Sequence, residues 1–213
     1  MSILILCDHE NGQLSPVTLN AVSAASQIGG EMHLLVAGDQ TGNVAKAAAS
    51  IAGIAKVLVA DDKALENGLA ENLAPLMQSL SVSYSHMMAA ATTTGKNVMP
   101  RLAALLDVMQ ISDIIKIEDA NTFQRPIYAG NALSTVSSSE AIKVITVRGT
   151  AFEAAAAEGG NAAIEPVAGA SDAGLSAYVK SELSSSERPE LTSASIVISG
   201  GRGMQDGANF AML

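Results

Sequence analysis

The chain has 213 residues, an apolar share of 48%, only six aromatic residues and a formal net charge of −9. This length allows one large domain, or one domain plus part of another, and the small apolar side chains suit helices packed closely on a sheet. Because nucleic-acid binding requires a basic surface, the acidic charge argues against a nucleic-acid partner.

The terminus and the uncharged stretches of the chain predict a cytoplasmic protein. The longest uncharged stretch, residues 72–95, is interrupted by Pro75 and by several polar side chains, so we expect no membrane insertion. Residues 1–8 lack the basic region and the apolar length of a signal peptide. The single cysteine, Cys7, excludes an intramolecular disulfide and fits a reducing compartment.

Short β-rich runs alternate with longer alanine-rich segments in the first part of the chain. In the order strand, helix, strand, helix, strand, they are residues 3–7, 16–28, 32–37, 44–51 and 56–60. Strands separated by helix-length segments are typical of a parallel sheet with helices on its faces. Ser15 as N-cap, Pro16 at the first helical position and Gly29 after the last turn delimit the first helix.

The middle of the chain continues the alternation and then departs from it. Helices are predicted over 69–80 and 97–109, and strands over 84–90, 111–117 and 143–147. Residues 122–136 alternate and are partly polar, which predicts a hairpin or edge strand with mixed strand directions. We therefore predict an α/β fold whose mainly parallel sheet carries helices on both faces.

The last part of the chain changes character. Periodicity is lost over 150–174, and residues 178–190 are polar and charged, as in a linker. We predict an N-terminal α/β domain over 1–186, and over 187–213 a linker followed by the start of a second α/β domain. That start consists of a strand over 195–198 and a glycine-rich turn over 199–203. One strand cannot bury its apolar face alone, so we expect this second domain to be incomplete.

The glycine-rich turn is the feature with the clearest chemical potential. Gly201 and Gly203 flank Arg202, but the glycine spacing departs from the dinucleotide fingerprint and no acid follows to hold a ribose. Backbone N–H groups in such a turn can bind phosphate, and a guanidinium suits phosphate or an electron-rich ring. An anion-binding turn and a purely structural turn both remain open.

A second glycine motif, residues 94–97, resembles a fragment of a phosphate-binding P-loop. Ala90 stands where the first glycine should be, and Asn97 replaces the hydroxyl residue that binds metal. We therefore reject an NTPase site and predict the start of a helix, capped by Thr94 or Gly95.

Neither a metal site nor a catalytic site is predicted. Cys7, Asp8 and His9 are adjacent but lack the paired spacing that zinc ligands show. Ser199 follows Val197 at the position where a nucleophile elbow needs glycine. We expect no catalytic residue and no metal ligand.

Several stretches, taken in order, resemble the alpha subunit of electron transfer flavoprotein. They are residues 95–107, 111–132, 144–148, 188–192 and 198–203. The resemblance implies an N-terminal α/β domain that packs on a beta subunit, and a C-terminal domain that carries most of the FAD contacts. Only Arg202 carries over as a cofactor-contacting residue, with Gly201 and Gly203 positioning it. Ala208 departs from the family, which usually has an acid there.

The resemblance implies an electron carrier rather than an enzyme. Such an alpha subunit relays electrons through FAD from dehydrogenases to a quinone-reducing or other acceptor, as part of a heterodimer. Since the chain holds the first domain and only the opening of the second, we expect a fragment that retains FAD poorly on its own.

Two other functions stay open at this point. The α/β domain could be a stand-alone nucleotide-binding module, or a scaffold that docks on a beta subunit and holds no cofactor.

Overall fold

A seven-stranded parallel sheet forms the centre of the first part of the chain. The computed structural model describes residues 1–168, 171–181, 191, 194 and 196–212. The chain divides into two compact units, Met1–Tyr178 and Val179–Leu213. The main sheet and all the helices labelled α below belong to the first unit.

The strands are β1 (Ser2–Leu6), β2 (His9–Glu10), β3 (Gln13–Leu14), β4 (Glu31–Gly38), β5 (Ile54–Asp61), β6 (His86–Ala90), β7 (Gln110–Ile114), β8 (Lys116–Ile117), β9 (Thr122–Ile127), β10 (Ala132–Ser137), β11 (Lys143–Val147) and β12 (Ala163–Pro166). The helices are α1 (Val17–Ile28), α2 (Gly42–Ala49), α3 (Ala70–Leu80) and α4 (Thr93–Leu105).

The strand order in the main sheet is β12-β5-β4-β1-β6-β11-β7, and every neighbouring pair is parallel. Helices α1 and α2 cover one face, and α3 and α4 cover the other. Along β1, Ile3 and Ile5 enter the first core while Leu4 and Leu6 enter the second. Burial on both faces explains why this strand is a continuous apolar run, and the predicted α/β fold is confirmed.

The predicted strand over 111–117 is wrong as a single element. The chain leaves the main sheet after β7, and β8 instead joins β9 and β10 in a three-stranded antiparallel sheet. Asp113 has a φ of 60°, and the register between β7 and β11 shifts beside it. The predicted hairpin is confirmed, because β9 and β10 pair antiparallel over their whole length.

Two helix starts differ from the prediction. Helix α4 begins about one turn early, because the Thr92 hydroxyl accepts a hydrogen bond from the Gly95 amide at 3.2 Å, so Thr92 is the cap rather than Thr94 or Gly95. Helix α1 has Pro16 at its N-cap position with no side-chain capping bond, rather than Ser15. Its predicted end is confirmed, since Gly29 has a φ of 78°.

The sequence prediction missed β12. This strand extends the sheet at its β5 edge, where Lys56 and Glu165 form an ion pair at 3.0 Å. All four of its residues are exposed, so no apolar alternation marks it in the sequence.

The predicted strand over 195–198 is not formed where the structure describes it. Ser195 lies outside the described residues, and Ile196, Val197 and Ile198 belong to no strand and are 82%, 53% and 65% exposed. A strand needs a neighbour for its backbone groups, and the described part of the second unit supplies none. That unit has 3-10 helix at Arg202–Met204 and Gly207–Met212. The predicted boundary at residue 186 lies outside the described residues and stays a prediction.

Within the described part of the chain, no helix combines the length and the apolar character needed to cross a membrane.

A polar cluster lies at the amino end of the main sheet. His33 Nε2 is 2.6 Å from a Glu31 carboxylate oxygen, and His33 Nδ1 is 2.7 Å from the Tyr84 hydroxyl. Because a carboxylate can only accept, His33 Nε2 donates to Glu31. Burial first, and then the charges of Glu31 and Glu165, raise the pKa of Tyr84 to about 12.

Because of this cluster, the free energy of unfolding should decrease at alkaline pH. The unfolded chain releases the Tyr84 proton near pH 10, roughly the ordinary tyrosine pKa, whereas the folded protein retains it up to about 12. The contribution of Tyr84 is therefore complete below about pH 10 and is lost as pH rises toward 12. Urea unfolding at several pH values should show a steeper loss in the wild type than in Tyr84→Phe. Equal slopes would contradict the assignment.

Candidate functional site

The glycine-rich turn at Gly201–Met204 is a single turn of 3-10 helix. The Met204 amide donates to the Gly201 carbonyl at 3.0 Å, and the Gln205 amide donates to the Arg202 carbonyl at 3.1 Å. Gly201 precedes the turn in an extended conformation, with φ −86° and ψ −174°. The structure therefore places the three predicted cofactor residues next to one another on a short exposed turn.

Packing requires glycine at one position of this turn but not at the other two. At Gly200, a Cβ would lie 2.6 Å from Met204 Cγ and from Phe210 Cζ, so packing within the turn explains that glycine. At Gly201 and Gly203, a Cβ would meet no atom within 4 Å, and neither residue has a positive φ. The described residues thus leave room at these two positions, as expected where a ligand approaches the backbone closely.

Arg202 is exposed, and no carboxylate among the described residues pairs with it. A guanidinium between two small, open residues can donate several hydrogen bonds to one phosphate group. The residues of the turn therefore fit the phosphate part of a dinucleotide such as FAD.

The main sheet provides a second place where a nucleotide could bind. In sheets of this kind, ligands bind at the carboxyl ends of the strands, at the point where the strand order reverses, which lies here between β1 and β6. At this edge His9 Nε2 lies 2.9 Å from the Ala37 carbonyl oxygen, and a Cβ on Gly38 would lie 2.9 Å from His9 Cε1. The His9 ring therefore covers the end of β4.

The start of helix α2 at the same edge already holds an anion. Asp61, the last residue of β5, accepts hydrogen bonds from the Gln40 amide at 2.8 Å and from the Thr41 amide at 3.2 Å. Its carboxylate thus occupies the position where the helix dipole would stabilise a bound phosphate. A phosphate bound there would have to displace Asp61.

The start of helix α4 explains the rejected P-loop fragment. Gly95 is buried, and a Cβ there would overlap the Ala90 carbonyl oxygen. Glycine is required at this position because the helix begins directly against the end of β6. The P-loop likeness at this position therefore follows from packing.

Cys7 and His9 do not come together as a reactive pair. Cys7 is buried at the end of β1, and burial, followed by the charge of Asp8, raises the pKa of its thiol. Among the described residues there is no group of three or more His, Cys, Asp or Glu side chains suited to a metal ion.

One ion pair at the carboxyl edge was not predicted. Arg148, just after β11, donates from Nε and Nη2 to one Asp113 carboxylate oxygen, and this bond raises the pKa of Arg148. The Asp113 amide donates to the Thr146 hydroxyl at 2.8 Å, which helps hold the left-handed backbone of Asp113. The only signal in the sequence is an aspartate in the middle of an apolar run.

The family described as "Electron transfer flavoprotein domain" matches residues 3–172. An electron transfer flavoprotein subunit alpha of Pseudomonas aeruginosa is 58% identical over 213 residues, covering all of this chain and 69% of the relative. The chain belongs to the electron transfer flavoprotein family.

Other relatives agree with this assignment. The alpha subunit of Paracoccus denitrificans is 50% identical over 214 residues, which cover all of this chain and 69% of the relative. A mitochondrial alpha subunit of Dictyostelium discoideum is 45% identical and covers 99% of this chain and 64% of the relative. The resemblance stated from the motifs is therefore confirmed over the whole chain.

The family match covers only one of the two candidate regions of this electron transfer flavoprotein chain. The carboxyl edge of the sheet lies within the matched residues 3–172, whereas Arg202 and its glycines lie beyond them. The assignment of Arg202, Gly201 and Gly203 to the cofactor therefore stays a prediction.

Proposed function

We propose that this chain serves as the alpha subunit of a heterodimeric electron transfer flavoprotein. It would act with a beta subunit, accept electrons from flavoprotein dehydrogenases and pass them through FAD to a quinone-reducing or other acceptor. The observation that carries this proposal is the 58% identity to a named alpha subunit over the full 213 residues. The expected location stays cytoplasmic.

FAD would supply the redox chemistry, and the protein would supply binding and orientation. Arg202 would hold a phosphate of the cofactor, while Gly201 and Gly203 let the cofactor approach the backbone. This division fits a carrier, and no bond-making role is proposed for any described side chain.

The open glycines provide a sharp test of the cofactor site. Gly203→Ala should leave thermal unfolding unchanged, because a Cβ there meets nothing, yet it should lower the affinity for FAD about tenfold, because the added methyl group would stand where the cofactor approaches the backbone. Arg202→Ala should lower it at least as much, and Arg202→Lys somewhat less, because lysine lacks the planar fork. The measurement is a flavin fluorescence titration of the full chain with a beta subunit present.

Gly207→Ala is the matched control, since a Cβ at Gly207 also meets no atom within 4 Å and this residue lies beyond the turn. Equal FAD affinity for Gly203→Ala, Arg202→Ala and the wild type would show that the turn does not hold the cofactor.

Nucleotide titration separates the carrier from the stand-alone nucleotide-binding module. Tight binding of ATP or AMP without a beta subunit would favour the module. The Asp61 carboxylate at the start of α2 argues against it, because a phosphate and Asp61 would compete for the same amides. Tight association with a beta subunit and FAD retention would favour the carrier, whereas association without FAD would favour the scaffold.

A further inference from the structure

The chain contains the tripeptide Glu-Asn-Gly at two places, residues 10–12 and 66–68. An asparagine that precedes glycine is especially prone to spontaneous deamidation. The reason is that glycine has no side chain to keep its backbone nitrogen away from the amide carbon of the asparagine. Since the two copies are identical up to the glycine, a large difference in their deamidation rates would come from the fold.

The first copy forms the tip of the small hairpin β2–β3. Asn11 and Gly12 have φ angles of 52° and 71°, the left-handed conformation that both central residues of a tight two-residue turn adopt. Both residues are exposed, and neither the Gly12 amide nor the Asn11 side chain has a hydrogen bond within the described part of the chain. Because each strand of this hairpin has only two residues, its tip can open without disturbing the core.

The second copy lies in the turn before helix α3 and is held more firmly. The Gly68 amide donates to the Leu65 carbonyl at 3.1 Å, and Leu65 is 1% exposed. This hydrogen bond must break before the Gly68 nitrogen can lose its proton and attack a carbon atom. Asn67 is exposed, as Asn11 is, so access to solvent does not distinguish the two sites.

We propose that Asn11 is a site of spontaneous deamidation in the folded protein and that the fold protects Asn67. The Gly12 nitrogen forms a bond to Asn11 Cγ, the bond from Cγ to Nδ2 breaks, and Nδ2 leaves as ammonia with the proton of the Gly12 amide. Water then opens the cyclic imide at either of its carbonyl carbons, which leaves aspartate or isoaspartate at position 11. The reaction needs only water, so the inference does not rest on the proposed electron-carrier function.

Isoaspartate at position 11 would disrupt the hairpin. It lengthens the main chain by one carbon atom, so the two-residue turn no longer joins β2 and β3 in register. The pairs His9–Leu14 and Glu10–Gln13 would then be lost. The His9 ring, whose Nε2 lies 2.9 Å from the Ala37 carbonyl oxygen, would be released from the end of β4.

Ageing of the full chain at mildly alkaline pH tests the proposal. Cleavage after glutamate, carried out at acid pH, releases peptides that begin with Asn11 and with Asn67, and mass spectrometry gives the fraction of each that has become acid. We expect conversion at Asn11 to be at least about fivefold faster, the effect of one amide hydrogen bond. In urea both sites should convert at similar rates, because the unfolded chain lacks that bond.

Gly12→Ala provides a matched variant. A Cβ at this position meets no atom within 4 Å, but it shields the backbone nitrogen, so conversion of Asn11 should slow while that of Asn67 stays unchanged. In the isoaspartate fraction of the wild type, the amides of residues 9–14 should exchange with deuterium faster than in fresh protein. Conversion of Asn67 as fast as that of Asn11 in the folded chain would overturn the proposal.

Discussion

Phe123→Ala is expected to lower the free energy of unfolding by about 3–5 kcal/mol, the usual cost of removing a buried phenylalanine. Phe123 lies on β9 and is fully buried in the core between α1 and the main sheet. It therefore attaches the three-stranded sheet to the rest of the first unit, and its loss would leave a cavity at that junction. Denaturant unfolding followed by circular dichroism measures the effect.

Leu133→Ala is the matched control on the same hairpin. Leu133 lies on β10 and is 62% exposed, so its truncation should change the unfolding free energy by about 0.5 kcal/mol or less. Similar losses for the two variants would show that Phe123 does not anchor the hairpin to the core.

Gly95→Ala should cost about 2–3 kcal/mol, as overpacking of a closely packed site does. The added Cβ would overlap the Ala90 carbonyl oxygen, which is backbone and can move only if the start of α4 moves away from β6. Unfolding midpoints of the two proteins at equal concentration give the comparison.

Gly42→Ala controls for the general effect of replacing glycine in a helix. Gly42 begins α2, and a Cβ there meets no atom within 4 Å, so alanine should be neutral or stabilise by up to about 1 kcal/mol. A Gly95→Ala protein as stable as the wild type would show that α4 can shift freely, and the packing explanation of Gly95 would then fail.

The two candidate regions for cofactor binding differ in how open they are to a ligand. At the carboxyl edge of the sheet, the His9 ring covers the end of β4, and the Asp61 carboxylate already accepts the Gln40 and Thr41 amides at the start of α2. At the terminal turn, Arg202 is unpaired among the described residues and its glycines face open space. The family resemblance implies the proposed contact of Arg202 with the cofactor, and the open turn supports it.

Local patterns predicted most of the main sheet correctly. The alternation of strands and helices, the apolar run of β1 and the stop at Gly29 all depend on a few neighbouring residues. The hairpin β9–β10 was predicted for the same reason, because alternation along one segment is visible without knowledge of its neighbours. The family itself was also evident from ordered motifs along the chain.

Features that depend on distant partners could not be read from the sequence. β12 has no exposed-and-buried alternation and exists because β5 offers an unpaired edge. The split of 111–117 into β7 and β8 follows from the left-handed backbone of Asp113 and its contacts with Thr146 and Arg148. Conversely, residues 196–198 have the composition of a strand but form none, because a strand is completed by hydrogen bonds to a neighbour and not by its own side chains.

The terminal glycine turn shows the same division. Its residue types and its likeness to a flavoprotein family are visible in the sequence, and from them Arg202, Gly201 and Gly203 were predicted to contact the cofactor. Only the tertiary structure shows which of these glycines are required by packing. A Cβ added at Gly200 or Gly95 would meet other atoms, whereas a Cβ added at Gly201 or Gly203 would not. The physical reason is that residue identity limits local backbone conformation, while the free space around a residue depends on which atoms the folded chain brings next to it, even when those atoms belong to residues near in the sequence.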